Sequence, residues 1–329
     1  MLSHMELESI GSPGLWIGFI AFVIGMLAID LGIFHRKSHV VGMREALIWS
    51  SVWVTLALIF NGIVWKVYGA ERGLEFLTGY LIEKSLSVDN IFVFVVIFGA
   101  LGIPALYQHR VLFWGILTAL VLRAVMIFAG TALLARFHWL IYVFGAFLVL
   151  TGIKLFVQRQ QASNPADSHV MKLARRLIRA TDRLDGEKFF TVENGKRVAT
   201  PLFMALLLVE ATDVVFAVDS IPAIFAVTND PFIVFTSNIF AILGLRSLFF
   251  LLAGVVDKFR YLKTGLAAVL VFVGAKMTLV DIYKVPPLAS LLVIATFLSV
   301  AIGASLWVSR KESRRLESSG KESPRPAMG

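Results

Sequence analysis

Two short stretches of the chain place carboxylates inside long apolar sequence. Glu83-Lys84-Ser85-Leu86-Ser87-Val88-Asp89-Asn90-Ile91 carries Glu83 and Asp89. Asp213-Val214-Val215-Phe216-Ala217-Val218-Asp219-Ser220-Ile221 carries Asp213 and Asp219, with Glu210 three residues before it. Each motif runs acid, four residues, Val-Asp, Asn or Ser, Ile. A charged side chain at the centre of a bilayer costs about 2.5–3.5 kcal/mol on insertion scales, so five carboxylates left bare would cost more than about 10 kcal/mol. They need bound cations, protons or basic partners. Lys84, Arg123, Lys154, Arg246 and Lys276 are the basic residues within apolar runs. Pairing among these charges alone is the structural alternative, and buried pairs are poor stabilisers.

The available ligands are hard. Glu83, Asp89, Asn90, Glu210, Asp213, Asp219 and Ser220 offer carboxylate, amide and hydroxyl oxygen, which suits Mn²⁺, Ca²⁺ or Mg²⁺. The residues alone leave all three open. The six histidines (His4, His35, His39, His109, His138, His169) fall in loops, at the ends of apolar runs or in the N-terminal tail. There is no cysteine, which removes disulfides, thiolate ligands and thiol redox chemistry together. Methionine is sparse near the acidic motifs, which disfavours copper(I). On a helix, residues seven apart share a face, so Glu83 aligns with Asn90 and Asp213 with Ser220. Glu210 lies on the same side as Asp213, whereas Asp89 and Asp219 fall on another face of regular helices. Pro222 predicts a break at 218–222 that would free carbonyls as further ligands. Asp30 and Asn61 are weaker candidates, since such groups more often serve helix packing. Arg123, Arg246, Lys154 and Lys276 are expected to support the site, the last two near span ends where they can snorkel.

The elements that must hold these groups are membrane helices. Of 329 residues, 58% are hydrophobic and 16% charged, with a mean hydropathy of +0.81. A spanning helix takes about 20 mainly apolar residues. Nine runs qualify as predicted spans, at about 14–34, 46–66, 74–101, 111–134, 138–157, 200–228, 232–256, 262–282 and 287–308. The expected fold is therefore all-α and polytopic, with a transmembrane domain over 14–308. Barrel strands would be shorter and would alternate in polarity. The acidic N-terminus and the length of the first run argue against a cleavable signal. The 158–198 segment reads as a cytoplasmic connector with a possible surface helix at 169–184. The tail at 309–329 reads as disordered.

The motifs belong to a larger repeat. Leu122-Arg123 matches Leu245-Arg246, and Gly152-Ile153-Lys154 matches Gly274-Ala275-Lys276, in the same order as the acidic motifs. Spans 3–5 (about 74–157) and 6–8 (about 200–282) read as two copies of a three-helix unit. Three spans per copy make the copies inverted, an arrangement found in secondary transporters with the site near the midplane. Cytoplasmic loops are enriched in Lys and Arg. One set of loops with the C-terminal tail carries 22 such residues against 4 for the other set, which predicts an outside N-terminus and a cytoplasmic C-terminus. The net charge of +9 reports this orientation rather than nucleic-acid binding.

The two acidic motifs resemble those of the TerC family, named for tellurium resistance, and most closely its Alx-like, pH-responsive manganese exporters. The resemblance extends over about residues 14–308. It implies Mn²⁺ export across a bacterial inner membrane, with Glu83, Asp89, Asn90, Glu210, Asp213, Asp219 and Ser220 as the ion site. Coupling to protons through the same carboxylates is the expected drive. The tellurium label fits poorly, because no thiol is present to handle tellurite. The alternative is an assembly factor that serves exported proteins or supplies metal to them, for which the 158–198 loop would be needed. An enzyme is not expected: no His-Glu-x-x-His or Gly-x-Ser-x-Gly motif occurs.

Overall fold

The computed structural model describes residues 9–32, 41–137, 139–157, 176, 178–253, 261–283 and 285–320, with the side chains at 30–32, 89, 92, 310 and 312–320 apart. Helices α1 (Pro13–Gly32), α2 (Met43–Tyr68), α3 (Ala70–Ala100), α4 (Ala105–Arg136) and α5 (Leu140–Val157) precede a small hairpin of β1 (Phe190–Glu193) and β2 (Lys196–Ala199). Helices α6 (Pro201–Phe225), α7 (Pro231–Leu243), α8 (Leu245–Leu252), α9 (Leu262–Thr278) and α10 (Pro287–Gly320) follow. The fold is all-α and polytopic. Among the described residues α2, α4, α5, α6 and α10 are long and apolar enough to cross a bilayer, and α7 with α8, bent by 41° at a break between them, makes a sixth if taken as one span. The remaining apolar runs also form helices, but α9 has only 17 residues and α3 carries Glu83, Lys84 and Asp89 along its length.

The outer faces are apolar where a water-soluble bundle would be charged. Ile17, Ile63, Val121, Leu150 and Val300 are all more than half exposed, which suits contact with lipid tails. Polar groups turn inward instead. At the centre lies α7, buried along its whole length from Phe232 to Leu243. Its N-terminus is capped by Asp230, which accepts from the backbone N–H groups of Phe232 and Ile233 and also from Ser9 Oγ and Ile10 N. An aromatic cluster joins it to its neighbours: Phe60 of α2 lies 5.2 Å from Phe76 of α3 and 5.1 Å from Phe240 of α7, centroid to centroid. Phe19 of α1 closes the cluster 5.6 Å from Phe240.

Helix α3 packs on α7 and on α6, while α6 packs on α4. Helices α5 and α9 pack tightly on each other, and glycine permits this. A Cβ at Gly274 would lie 2.6 Å from the Gly145 carbonyl oxygen, and one at Gly152 would lie 2.8 Å from that of Ala267. Between α2 and α3 the chain turns at Gly69, whose φ of +94° suits glycine.

Two expectations are corrected. No break occurs at 218–222: α6 is continuous to Phe225 with Pro222 inside it. Pro222 sits in the last turn, so its ring removes one hydrogen bond near a helix end, where little helix remains to be disrupted. Burial of Ser220 through Phe225 holds the turn in place. The break falls instead at Gly244, between α7 and α8. The tail is helical rather than disordered as far as Gly320. The span beneath it supplies the costly helix nucleus, and Lys, Glu and Arg propagate it well. The expected surface helix lies largely in residues outside those described, and 178–184 are not helical. Beyond them the hairpin is tied to α4 by Arg110–Glu187 at 3.2 Å. At its base, the Thr191 hydroxyl and the Lys188 ammonium hold the Asp185 carboxyl below its ordinary value.

Candidate cation site

The site assembles around Arg123. Helix α4 carries this residue into the bundle, where it is 1% exposed. Its guanidinium bonds Glu83 of α3 through Nη1 and Asp213 of α6 through Nη2 at 3.0 Å. Its Nη1 also approaches Ser220 Oγ at 3.5 Å and Asn238 Oδ1 of α7 at 3.4 Å. The seven-residue spacing of Asp213 and Ser220 thus places both on the Arg123 face of α6. Asn238 is a residue that sequence reasoning missed; an amide inside the apolar stretch from Phe232 to Leu243 was the available signal.

Two carboxylates flank one fixed cation, and several buried polar atoms of α3, α6 and α7 have no partner among the described residues. Glu83 Oε2, Ser87 Oγ and Asn90 Oδ1 on α3, both Glu210 oxygens on α6, and Asn238 Nδ2 are buried without a hydrogen-bond partner among the described residues. Glu83 and Asn90 are each 1% exposed, so neither can draw on bulk water. Unmet acceptors at this depth are costly and call for a donor or a cation. Glu210 faces Gly115 of α4. Among the described residues no group of three His, Cys, Asp or Glu side chains is gathered as a metal ligand set. Arg123 itself stands between the two carboxylates.

Other expected participants lie elsewhere. Asp219 faces Thr151 and Lys154 of α5, on a different face of α6 from Asp213 and Ser220. The side chains of Asp30 and Asp89 lie outside the described set. Asn61 is buried on α2. Arg246, which the motif comparison pairs with Arg123, lies not at the centre but in a crevice with Glu45, Trp49 and Trp53. The break at Gly244 redirects the chain just before it. Lys154 is exposed, and Lys276 lines a cavity at the N-terminal end of α3. Lys84 serves a different end of the bundle. Its ammonium donates to the Ala241 carbonyl at 3.3 Å, satisfying one of the last carbonyls of α7 where the helix dipole favours a cation.

The chain matches the family described as "Integral membrane protein TerC family" over residues 68–313. An uncharacterized membrane protein of Myxococcus xanthus is 71% identical over 302 residues, covering 92% of this chain and 95% of the relative. In Escherichia coli (strain K12) a protein that carries the name of a membrane-bound redox modulator, Alx, is 48% identical over 318 residues, covering 94% and 99%. A Rickettsia bellii membrane protein is 44% identical over 291 residues, covering 88% and 96%. No solved structure matches the chain. With three quarters of its length matched and close relatives aligned nearly end to end, the chain belongs to the TerC family of integral membrane proteins.

Proposed function

We propose that the chain is a secondary transporter in a bacterial inner membrane that exports divalent cations, Mn²⁺ foremost, from the cytoplasm. The observation that carries this reading is the buried centre itself. Two carboxylates from different helices converge on Arg123, and unpartnered oxygens of Glu83 and Asn90 lie within the same bundle. A purely structural arginine cluster would leave fewer acceptors unmet. The oxygens are hard ligands of the kind Mn²⁺ accepts.

In this reading Arg123 is a tethered cation that holds the centre when no ion is bound. A divalent ion and the guanidinium compete for Glu83 and Asp213, so loading displaces Arg123 from at least one of them. Protons can take part through the same carboxylates, which gives a route to coupling. The inverted repeat is supported by the helix pairings. Exchanging α3 with α6, α4 with α7–α8 and α5 with α9 turns the α3–α7 contact into α6–α4 and the α5–α9 contact into itself. The excess of Lys and Arg on alternate loops supports a cytoplasmic C-terminus. The redox name of the Alx relatives is compatible with this reading. A chain without cysteine would change redox balance through the level of a redox-active metal rather than through thiols.

The test is Mn²⁺ uptake into everted vesicles, with Ca²⁺ and Mg²⁺ as competitors. Saturable uptake is expected in the wild type. Glu83→Gln and Asp213→Asn are expected to abolish it with insertion unchanged, as are Asp89→Ala and Asp219→Ala. Wild-type uptake that persists in all four variants would sink the assignment of the site.

A further inference from the structure

Beyond the Arg123 centre, a cavity of about 650 Å³ opens at the N-terminal end of α3. Its walls include Glu71, Arg72, Glu75, Thr228, Asn229 and Lys276, from α3, the α6–α7 connection and α9. The floor is apolar, with Ile141, Phe225 and Met277. Glu75 is 8% exposed. It accepts from Arg72 Nη1 at 3.0 Å and from Thr228 Oγ1 at 2.9 Å. Both donors use the same oxygen, Oε2, which leaves Oε1 for a further ligand.

Glu75 does not stand alone. Positions 75, 79, 83 and 87 follow one four-residue ridge of α3, and read Glu75, Gly79, Glu83 and Ser87. The three polar members are buried, as is Asn90 beside them. Glu83 Oε2, Ser87 Oγ and Asn90 Oδ1 are unpartnered among the described residues. A helix rises about 1.5 Å per residue, so Glu75 lies about 12 Å along the axis from Glu83. Between them, at Gly79, α3 runs close to its neighbours: a Cβ there would meet Ser237 Oγ at 3.0 Å and Ile224 Cγ2 at 3.4 Å. A row of buried polar groups on α3 therefore runs from the cavity toward the Arg123 centre, interrupted at Gly79 by close packing against Ser237 and Ile224.

We propose that this cavity is the mouth of the ion path and that Glu75 is a relay carboxylate, receiving the divalent cation from Glu83 before its release. This rests on the transport reading given above. A path must bind its ion strongly enough to accept it and weakly enough to let it go. Arg72 and Lys276 beside Glu75 weaken its hold on a second cation, which fits a station of release better than one of storage.

The experiment compares Mn²⁺ uptake into everted vesicles by the wild type, Glu75→Gln and Glu75→Asp. The Gln variant is expected to lose about tenfold or more in maximal rate, matching the loss of one charge-assisted contact, with KM unchanged. The Asp variant is expected to recover part of that rate. A second readout does not depend on turnover. The chain has no cysteine, so Asn229→Cys offers a single thiol on the cavity wall. Mn²⁺ is expected to slow its reaction with a charged thiol reagent, and this protection is expected to vanish in Asn229→Cys combined with Glu75→Gln. Wild-type uptake with Glu75→Gln at full rate, or thiol labelling indifferent to Mn²⁺, overturns the relay and leaves transport standing. No uptake by the wild type overturns both.

Discussion

At the residue scale, Arg123 decides the energetics of the centre. It bonds both Glu83 and Asp213, offsetting one of their two charges, inside a bundle where neither carboxylate meets bulk water. Removing one partner of a buried ion pair costs about 3–5 kcal/mol, because the other charge is left uncompensated. Arg123→Gln is therefore expected to lower the melting temperature of the detergent-purified protein markedly. Adding Glu83→Gln to that variant removes one of the stranded charges and is expected to return part of the loss. Equal melting of the single and double variants would show that Glu83 and Arg123 are not coupled. Lys84→Met is a smaller change on the same helix as Glu83. It withdraws one donor from the Ala241 carbonyl, a loss of about 1–3 kcal/mol for a buried acceptor left bare. Part of this centre was legible in the sequence. The seven-residue spacing of Asp213 and Ser220 places both on the Arg123 face, and the arginine was conspicuous in an apolar run. Asn238 and Glu75 were not singled out, because one amide or one carboxylate near a helix end carries no pattern until the neighbouring helix is seen.

At the scale of the elements, glycine sets how closely α5 and α9 approach. Without a hydrophobic force between helices in lipid, close backbone contact is what small residues provide. A Cβ at Gly145 would lie 2.9 Å from the Gly274 carbonyl oxygen and 2.7 Å from Thr278 Cγ2. Backbone cannot yield as a flexible side chain can. Gly145→Ala and Gly274→Ala are each expected to destabilise by about 1–3 kcal/mol through overpacking, read as earlier thermal unfolding. Gly18→Ala on α1 is the control, since a Cβ added there would have nothing within 4 Å. Unfolding of all three at the wild-type temperature would refute the close contact. The match between Gly152 and Gly274 pointed to a repeated unit, and it is these two helices that meet. The break in the second half was not legible. Proline has a strong local signature, but Pro222 falls where a helix is already ending. At the actual break near Gly244, Lys84 from another helix satisfies the Ala241 carbonyl, a long-range contact that no local window contains.

At the scale of the whole molecule, the two ends of the bundle are unlike. The cavity opens at the N-terminal end of α3, while the opposite end is filled by an apolar cluster that includes Phe98, Ile103, Leu112, Ala205, Ile242 and Phe249. Phe98 and Phe249 meet edge to face, their centroids 5.5 Å apart. Each of the six is at most 5% exposed. If the two halves of the bundle rock about the Arg123 centre, the sealed end must open when the cavity closes, since both ends open at once would leak ions. Ala205→Cys and Asn229→Cys report on the two ends, Ala205 being buried and Asn229 on the cavity wall. Without Mn²⁺, a charged thiol reagent is expected to modify Asn229→Cys and spare Ala205→Cys. With an impermeant reagent on intact cells, Asn229→Cys is expected to react from outside, as the Lys and Arg distribution requires. Under a Mn²⁺ gradient that drives turnover, Ala205→Cys is expected to become reactive from the cytoplasmic side while Asn229→Cys slows. Labelling of Ala205→Cys that stays absent in every condition, with transport intact, would rule out opening at that end and require the ion to leave the Glu83–Asp213 centre by another route.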